Sequence, residues 1–308
     1  MSYKASLAPI VIFAFNRTDV FQQLIESLRK NPEFASSELY VYIDGARDNK
    51  IGEKEKVTEV CRIAQSLTSG EHGGPNPDKV HIQVSEKNKG LAASIIKGVT
   101  EVIEKHGKAI VFEDDLYLAP NCLRFMNEGL NKYENDKSIF SICGYTNRFK
   151  VPNGYGYDAY VASRSSSWGW ATWKDRWEKV DWNLNDWESV KSNKKAYNKW
   201  GGSDCFHMLN GWHGGKTNSW AIRFCYAQFL NKAWSIFPIK SLIKNDGCDG
   251  NGTNMKRYSR FKFDFDESDK QSFRWCPSNA FNKSIQKQIL WYASIPMRMW
   301  SRLMYKIK

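Results

Sequence analysis

Three consecutive carboxylates, Glu113-Asp114-Asp115, close the short apolar run Ala109-Ile110-Val111-Phe112. Acids placed side by side repel one another, and desolvating them is costly unless a cation or hydrogen-bond donors compensate. Their chemistry is that of hard oxygen ligands, suited to Mg²⁺ or Mn²⁺ shared with a ligand's phosphates. A solvated strand-end turn, or an acidic helix N-terminus ahead of Pro120, is the competing reading of the triplet alone. Two further polar groups stop apolar runs in the same way: Asn16-Arg17 after Pro9–Phe15, and Asp44-Gly45 after Leu39–Ile43.

The elements that position these groups follow from pattern. The runs at 9–15, 39–43 and 109–112 are short, apolar and rich in β-branched residues, as buried strands are. Val80-His81-Ile82-Gln83-Val84 alternates like a half-exposed strand. Val20, Leu24 and Leu28 recur at helical spacing, residues 51–67 read as a helix, and Asn88-Lys89-Gly90 caps a helix whose Leu91, Ile95, Val99 and Val102 share one face. A helix over about 120–133 and a strand at 139–142 complete a βαβαβαβαβ order. That order predicts a mostly parallel sheet with helices on both faces. Ligands bind outside the carboxyl ends of such strands, so Asn16, Arg17, Asp44 and the triplet are expected on one rim. That convergence favours the metal reading. The first turn has no G-x-G-x-x-G and the chain no G-x-x-x-x-G-K-[ST], so neither a Rossmann dinucleotide site nor a P-loop is supported.

Beyond Phe149 the character changes. Residues 178–218 read as short helices and loops, 219–231 as a helix, 234–237 as a strand, and Asn245 to Asn254 as a mobile loop. Six of the thirteen tryptophans fall between Trp168 and Trp187. Trp170, Trp173 and Trp177 stand at i, i+3, i+7, the spacing of one helix face. Most of these rings are expected in the core, with Trp170 kept as a ring able to stack on a sugar or base. The seven cysteines are odd in number and none forms a C-x-x-C, which points to reduced thiols in a cytosolic protein rather than to zinc or disulfides. No signal-peptide core or membrane-spanning run is seen. A net charge of +12 favours an anionic partner. Residues 284–308 hold Trp291 and Trp300 among Lys and Arg with no acid. Pro296 is expected to kink any helix there, and the segment reads as one that lies on an anionic membrane surface; docking on the domain is the alternative.

Taken together, Phe15-Asn16-Arg17, Ile43-Asp44-Gly45, Asn88-Lys89-Gly90-Leu91, Glu113-Asp114-Asp115-Leu116, Ser167 to Trp173, Ser219-Trp220-Ala221-Ile222-Arg223 and Asn245 to Asn254 resemble a bacterial glycosyltransferase of the GT-A type, close to the inverting family-two group. The E-D-D motif is also similar to that of the alpha-1,3-mannosyl-glycoprotein N-acetylglucosaminyltransferases. The resemblance implies a GT-A, Rossmann-like fold: a nucleotide-sugar half at 1–150, an acceptor-side half at 151–280 and a basic amphipathic tail at 281–308. It implies a hexosyl- or N-acetylhexosaminyltransferase, moving a sugar from a UDP-linked donor to a growing surface polysaccharide or lipid-linked glycan at the inner face of the membrane. Asp115 would hold Mn²⁺ or Mg²⁺; Asn16, Arg17, Asp44, Asn88, Gly90, Glu113, Asp114 and Trp170 would meet the donor. Inversion needs a carboxylate as base, and where relatives often carry Asp this chain has Ala221. Asp249, in a Gly-rich stretch able to close over the donor, is the candidate, with Asp204 and Asp246 behind it. The rivals are a metal-dependent nucleotidyltransferase, which would show a Gly-rich loop after the first strand, and a non-catalytic glycan or nucleic-acid binder. Nucleic acid is not expected as the partner.

Overall fold

Ile10–Ala14 (β1) is buried at every position, and the strand feeds two cores at once. Ile10, Ile12 and Ala14 face one cluster and Val11 and Phe13 the other, as period-two geometry requires. A computed structural model describes residues 7–70, 74–245 and 262–307. Thr18–Arg29 (α1) buries Phe21, Leu24, Ile25 and Leu28 at helical spacing. Leu39–Ile43 (β2), Glu53–Ser66 (α2), Val80–Val84 (β3) and Leu91–His106 (α3) continue the alternation. Lys108–Glu113 (β4) ends in the first acid of the triplet. Leu116–Leu118 (β5), Cys122–Lys132 (α4) and Ile139–Cys143 (β6) follow.

The second half supplies Ala159–Ala162 (β7), Trp170–Trp173 (β8), Lys174–Trp177 (α5), Trp187–Ser192 (α6), Lys194–Gly201 (α7) and Cys205–His213 (α8). Trp220–Leu230 (α9), Trp234–Pro238 (β9), Ile243–Asn245 (β10), Lys283–Tyr292 (α10) and Ile295–Ile307 (α11) complete it. Both halves build one eight-stranded sheet, in the order β3-β2-β1-β4-β8-β6-β9-β7. The β3-β2-β1-β4 block is parallel, as is the β6–β9 pair, while β8 and β7 run antiparallel to their neighbours. This is the expected α/β class: a mostly parallel sheet, with α1, α2 and α4 packed on one face and α3 and α9 on the other. β10 pairs antiparallel with β5, setting Asn245 opposite Leu116, next to Asp115.

Two expectations are corrected. Residues 170–173 are a strand, not part of a helix: β8 is inserted between β4 and β6, and its ladder bonds override the local helical spacing. Trp170 and Trp173 consequently enter opposite cores, and all three of Trp170, Trp173 and Trp177 are buried. The C-terminal segment is not a free tail throughout. Asn282 caps α10 through the Ser284 and Ile285 amides, Ile285 is fully buried, and the Gln286 side chain bonds Ser163. Pro296 sits in the first turn of α11, where its missing N–H costs nothing, so the chain breaks between two helices instead of kinking one. Among the described residues no helix is long and apolar enough to cross a membrane.

Candidate functional site

Parallel pairing brings the carboxyl ends of β1, β2 and β4 to one rim, and a cleft of about 1060 Å³ opens there. Asn16, Arg17, Asp44, Asn88, Gly90 and the whole acid triplet line it. Most of them are held by a neighbour. Asn16 Nδ2 donates to Glu53 Oε1 at 2.9 Å. Arg17 Nη1 reaches Asp115 Oδ2 at 3.3 Å, and Asn245 Nδ2 donates to Asp115 Oδ1 at 3.2 Å. Asn88 Nδ2 donates to the Gly45 carbonyl at 2.9 Å. Asp44 accepts the amides of Gly45, Lys89 and Gly90 at 3.0, 2.8 and 2.8 Å. It thereby ties β2 to the start of α3, and most of its lone pairs are already engaged where a donor contact was expected.

The triplet carries more negative charge than its surroundings balance. Burial, then the charges of Asp115 and Asp114, hold Glu113 well above the usual carboxylate range. Burial and Asp115 push Asp114 up to about 7 against the opposing Phe15 amide and Arg17. Cationic charge brought to this strand tip relieves that repulsion. Among the described residues no three His, Cys, Asp or Glu side chains form a self-sufficient metal cage. Carboxylate oxygens are the donors a hard divalent ion takes, and such an ion here would need its remaining ligands from a phosphate and water.

The opposite wall comes from the second half. Ser165, Ser166, Ser167 and Trp168 line the cleft, while Trp170 does not. Gly169, at φ +62°, turns the chain between the two rings, and a Cβ there would strike Ile243. Trp168 packs edge-on to Tyr145 at the cleft, whereas Trp170 stacks on Trp177 and Trp220 in the core. The expectation that Trp170 meets the donor is thus corrected: the ring is 1% exposed. Ser219 caps α9, whose first turn puts Trp220, Ala221 and Ile222 on the cleft with no acid among them. Asp204 is also misjudged as a base. It is 1% exposed, with Oδ1 on Arg164 Nη1 and Oδ2 on Arg298 Nη1, both at 2.7 Å. Burial alone would raise its pKa, but the two arginines outweigh burial and hold it below the usual range, the wrong direction for a proton acceptor. Asp246 and Asp249 lie outside the described residues.

Several cleft residues were not singled out from the sequence. Arg47 lies over the Phe15 ring at 5.4 Å and pairs with Glu53, whose carboxyl Arg47 brings down to about 2. Arg164, Arg298, His207 and Lys216 also line the cleft. No local pattern marks these residues. Arg164, at a positive φ of 65°, and Arg298 are brought to the same Asp204 carboxylate only by tertiary folding.

No protein-family model matches the chain, and no curated protein does. Among solved structures, one of GalNAc-T7 with UDP, GalNAc and Mn²⁺ is similar at a TM-score of 0.42 and 15% identity. The likeness covers 77% of this chain and 43% of that one, so this chain spans under half the length of that relative. A likeness of that size carries no argument about substrate or mechanism.

Proposed function

We propose that the cleft is the donor site of a glycosyltransferase that moves a sugar from a nucleotide sugar, UDP-linked, to a glycan or lipid-linked glycan. The observation that carries this reading is the acid triplet at the tip of β4, on the same rim as Asn16, Arg17 and Asp44 and facing an aromatic and hydroxyl-rich wall. A sugar donor offers a diphosphate for the first and a polar ring for the second. Asp115 would hold the divalent ion, Mn²⁺ or Mg²⁺, with Glu113 and Asp114 toward the donor's ribose and sugar. When bound, the ion neutralises charge developing on the diphosphate leaving group. Arg17, already beside Asp115, adds a guanidinium to the same end. The Phe15 ring with Arg47 offers a flat surface for a base. Asp249 is assigned as the proton acceptor of an inverting transfer.

The outer side of the C-terminal helices supports a membrane-surface setting. Ile295, Met299 and Leu303 form an exposed i, i+4, i+8 stripe, and Trp291 is also exposed. Arg298, Arg302 and Lys306 repeat at the same interval in a segment without acid. An exposed apolar stripe in a basic segment without acid matches an anionic membrane interface.

The test is binding linkage. UDP with Mn²⁺ is expected to raise Tm, and UDP with EDTA to do so far less. Asp115→Ala is expected to abolish the metal-dependent difference while keeping the metal-free Tm. An Asp115→Ala protein with an undiminished Mn²⁺ response removes the central assignment.

A further inference from the structure

The second cluster of charge in the cleft has the opposite sign to the triplet. Arg164 from the segment after β7 and Arg298 from α11 share one buried carboxylate, Asp204, through a single nitrogen each. Two cations against one anion leave a net charge of +1 at this point. The Arg164 side chain is 21% exposed and that of Arg298 24%, and both reach the cleft, while Asp204 does not. A guanidinium has five N–H donors. Arg164 spends others on the Gly201 carbonyl and the Met208 sulfur, whereas Arg298 shows no second acceptor among the described residues.

The pair is built into the fold. Gly202, at φ +114°, sits beneath it: a Cβ there would come within 3.1 Å of Ala293 Cβ, 3.4 Å of Asp204 Oδ1 and 3.6 Å of Arg164 Nη1. The positive φ favours glycine at 202, and its missing Cβ spares a tight contact with Ala293 at the α10–α11 junction. The neighbouring wall is apolar. Ile289 and Leu290 of α10 and Ala293 just after it line the same cleft as Arg298, and Ile295, Met299 and Leu303 of α11 are exposed.

We propose that Arg164 and Arg298 form an acceptor subsite that takes the phosphate or diphosphate of an amphiphilic acceptor, its hydrocarbon lying along α10 and α11. This deepens, and rests on, the reading of the cleft as a nucleotide-sugar site. A free neutral glycan would leave both the excess charge and the apolar wall without a counterpart. An acceptor with a charged head and a hydrocarbon tail matches both, because guanidinium forks bind phosphate oxygens with charge-assisted bonds.

The test uses the full chain saturated with UDP and Mn²⁺, so that the donor end is filled. Farnesyl diphosphate, farnesol, inorganic pyrophosphate and dihexanoyl phosphatidylglycerol are titrated below their micellar concentrations. Farnesyl diphosphate is expected to bind at least about tenfold more tightly than either farnesol or pyrophosphate. Arg298→Gln is expected to weaken it about tenfold or more, with Arg298→Lys between the two and the UDP-Mn²⁺ shift unchanged. Equal affinity for farnesol and farnesyl diphosphate in the unaltered protein overturns the proposal even if Arg298→Gln fails to fold. Arg298-dependent binding of the phosphatidylglycerol without binding of farnesyl diphosphate also overturns it, by making the site one for bilayer headgroups. Absence of any UDP-Mn²⁺ shift sinks the functional reading itself. Loss of only the farnesyl diphosphate preference sinks the subsite alone.

Discussion

A side chain that removes a proton from an acceptor hydroxyl must lie near the donor with a lone pair to spare. Most described carboxylates of the cleft region are otherwise occupied, and Glu113, buried and held well above the usual range, is the one proposed to face the donor's ribose. Asp44 holds three amides, Asp114 the Phe15 amide, Asp115 the Arg17 and Asn245 side chains, and Asp204 two guanidiniums. Asp249 follows Asn245 by four residues, so the chain can carry it no more than about 14 Å from that cleft residue. Asp249→Asn is therefore expected to lower turnover by ~10²–10⁴-fold with little change in nucleotide affinity, while Asp246→Asn stays active. Near-normal turnover in Asp249→Asn returns the base to the acceptor side, and product anomeric configuration by NMR is then the deciding measurement. At this scale the sequence was a good guide where a polar group ends an apolar strand. Asn16, Arg17, Asp44 and the triplet all reach one rim because parallel strands share a direction. It misled at Trp170 and Asp204. Both are of functional residue types near a motif, and only tertiary packing shows that one is core and the other a clamp.

Elements divide the same way. β1, β2 and β4 were legible as short apolar runs rich in β-branched residues, β3 by its alternation, and α1 and α3 by the 3.6 period of their apolar residues. β8 was not, because four residues containing two tryptophans fit a helix face as well as a strand, and its partners β4 and β6 lie about 60 and 30 residues away in sequence. Of the two readings made of the C-terminal segment, docking on the domain holds for α10. α10 docks through Ile285 and Gln286, whereas α11 leaves its Ile295-Met299-Leu303 stripe in solvent. On the membrane-surface reading proposed above, the contact falls to α11 and the adjoining Trp291. Replacing Ile295, Met299 and Leu303 together by Ser is expected to reduce sedimentation with anionic vesicles at least tenfold and to leave the UDP-Mn²⁺ thermal shift intact. The cationic residues alone, each worth ~1 kcal/mol near the surface, would then give only salt-sensitive binding. Undiminished vesicle binding by the triple variant places the membrane contact elsewhere.

On the scale of the whole molecule, the cleft joins two halves of one sheet, and the C-terminal helices close its outer wall. The described ion pair that fastens α11 to the body joins Arg298 to Asp204, a carboxylate that also holds Arg164. The Asp204 carboxyl is depressed in the fold, against a value near 3.9 when unfolded. The contribution of such a group is complete above the unfolded value and is lost as pH falls through the lower folded one. Replacing it removes the counter-charge from two partly buried guanidiniums, a change that typically costs ~3–5 kcal/mol. Asp204→Asn is therefore expected to be less stable than the unaltered protein by about that amount at pH 7, measured by urea unfolding. The gap should hold between pH 7 and 5 and narrow only below the ordinary carboxylate range, as the native Asp204 takes up its proton. A gap below about 1 kcal/mol at pH 7 would make the cluster no more than a surface ion pair. A gap that closes between pH 7 and 5 would mean that a group with a raised pKa governs the junction instead. Either result would leave the placement of α11 without its electrostatic cause.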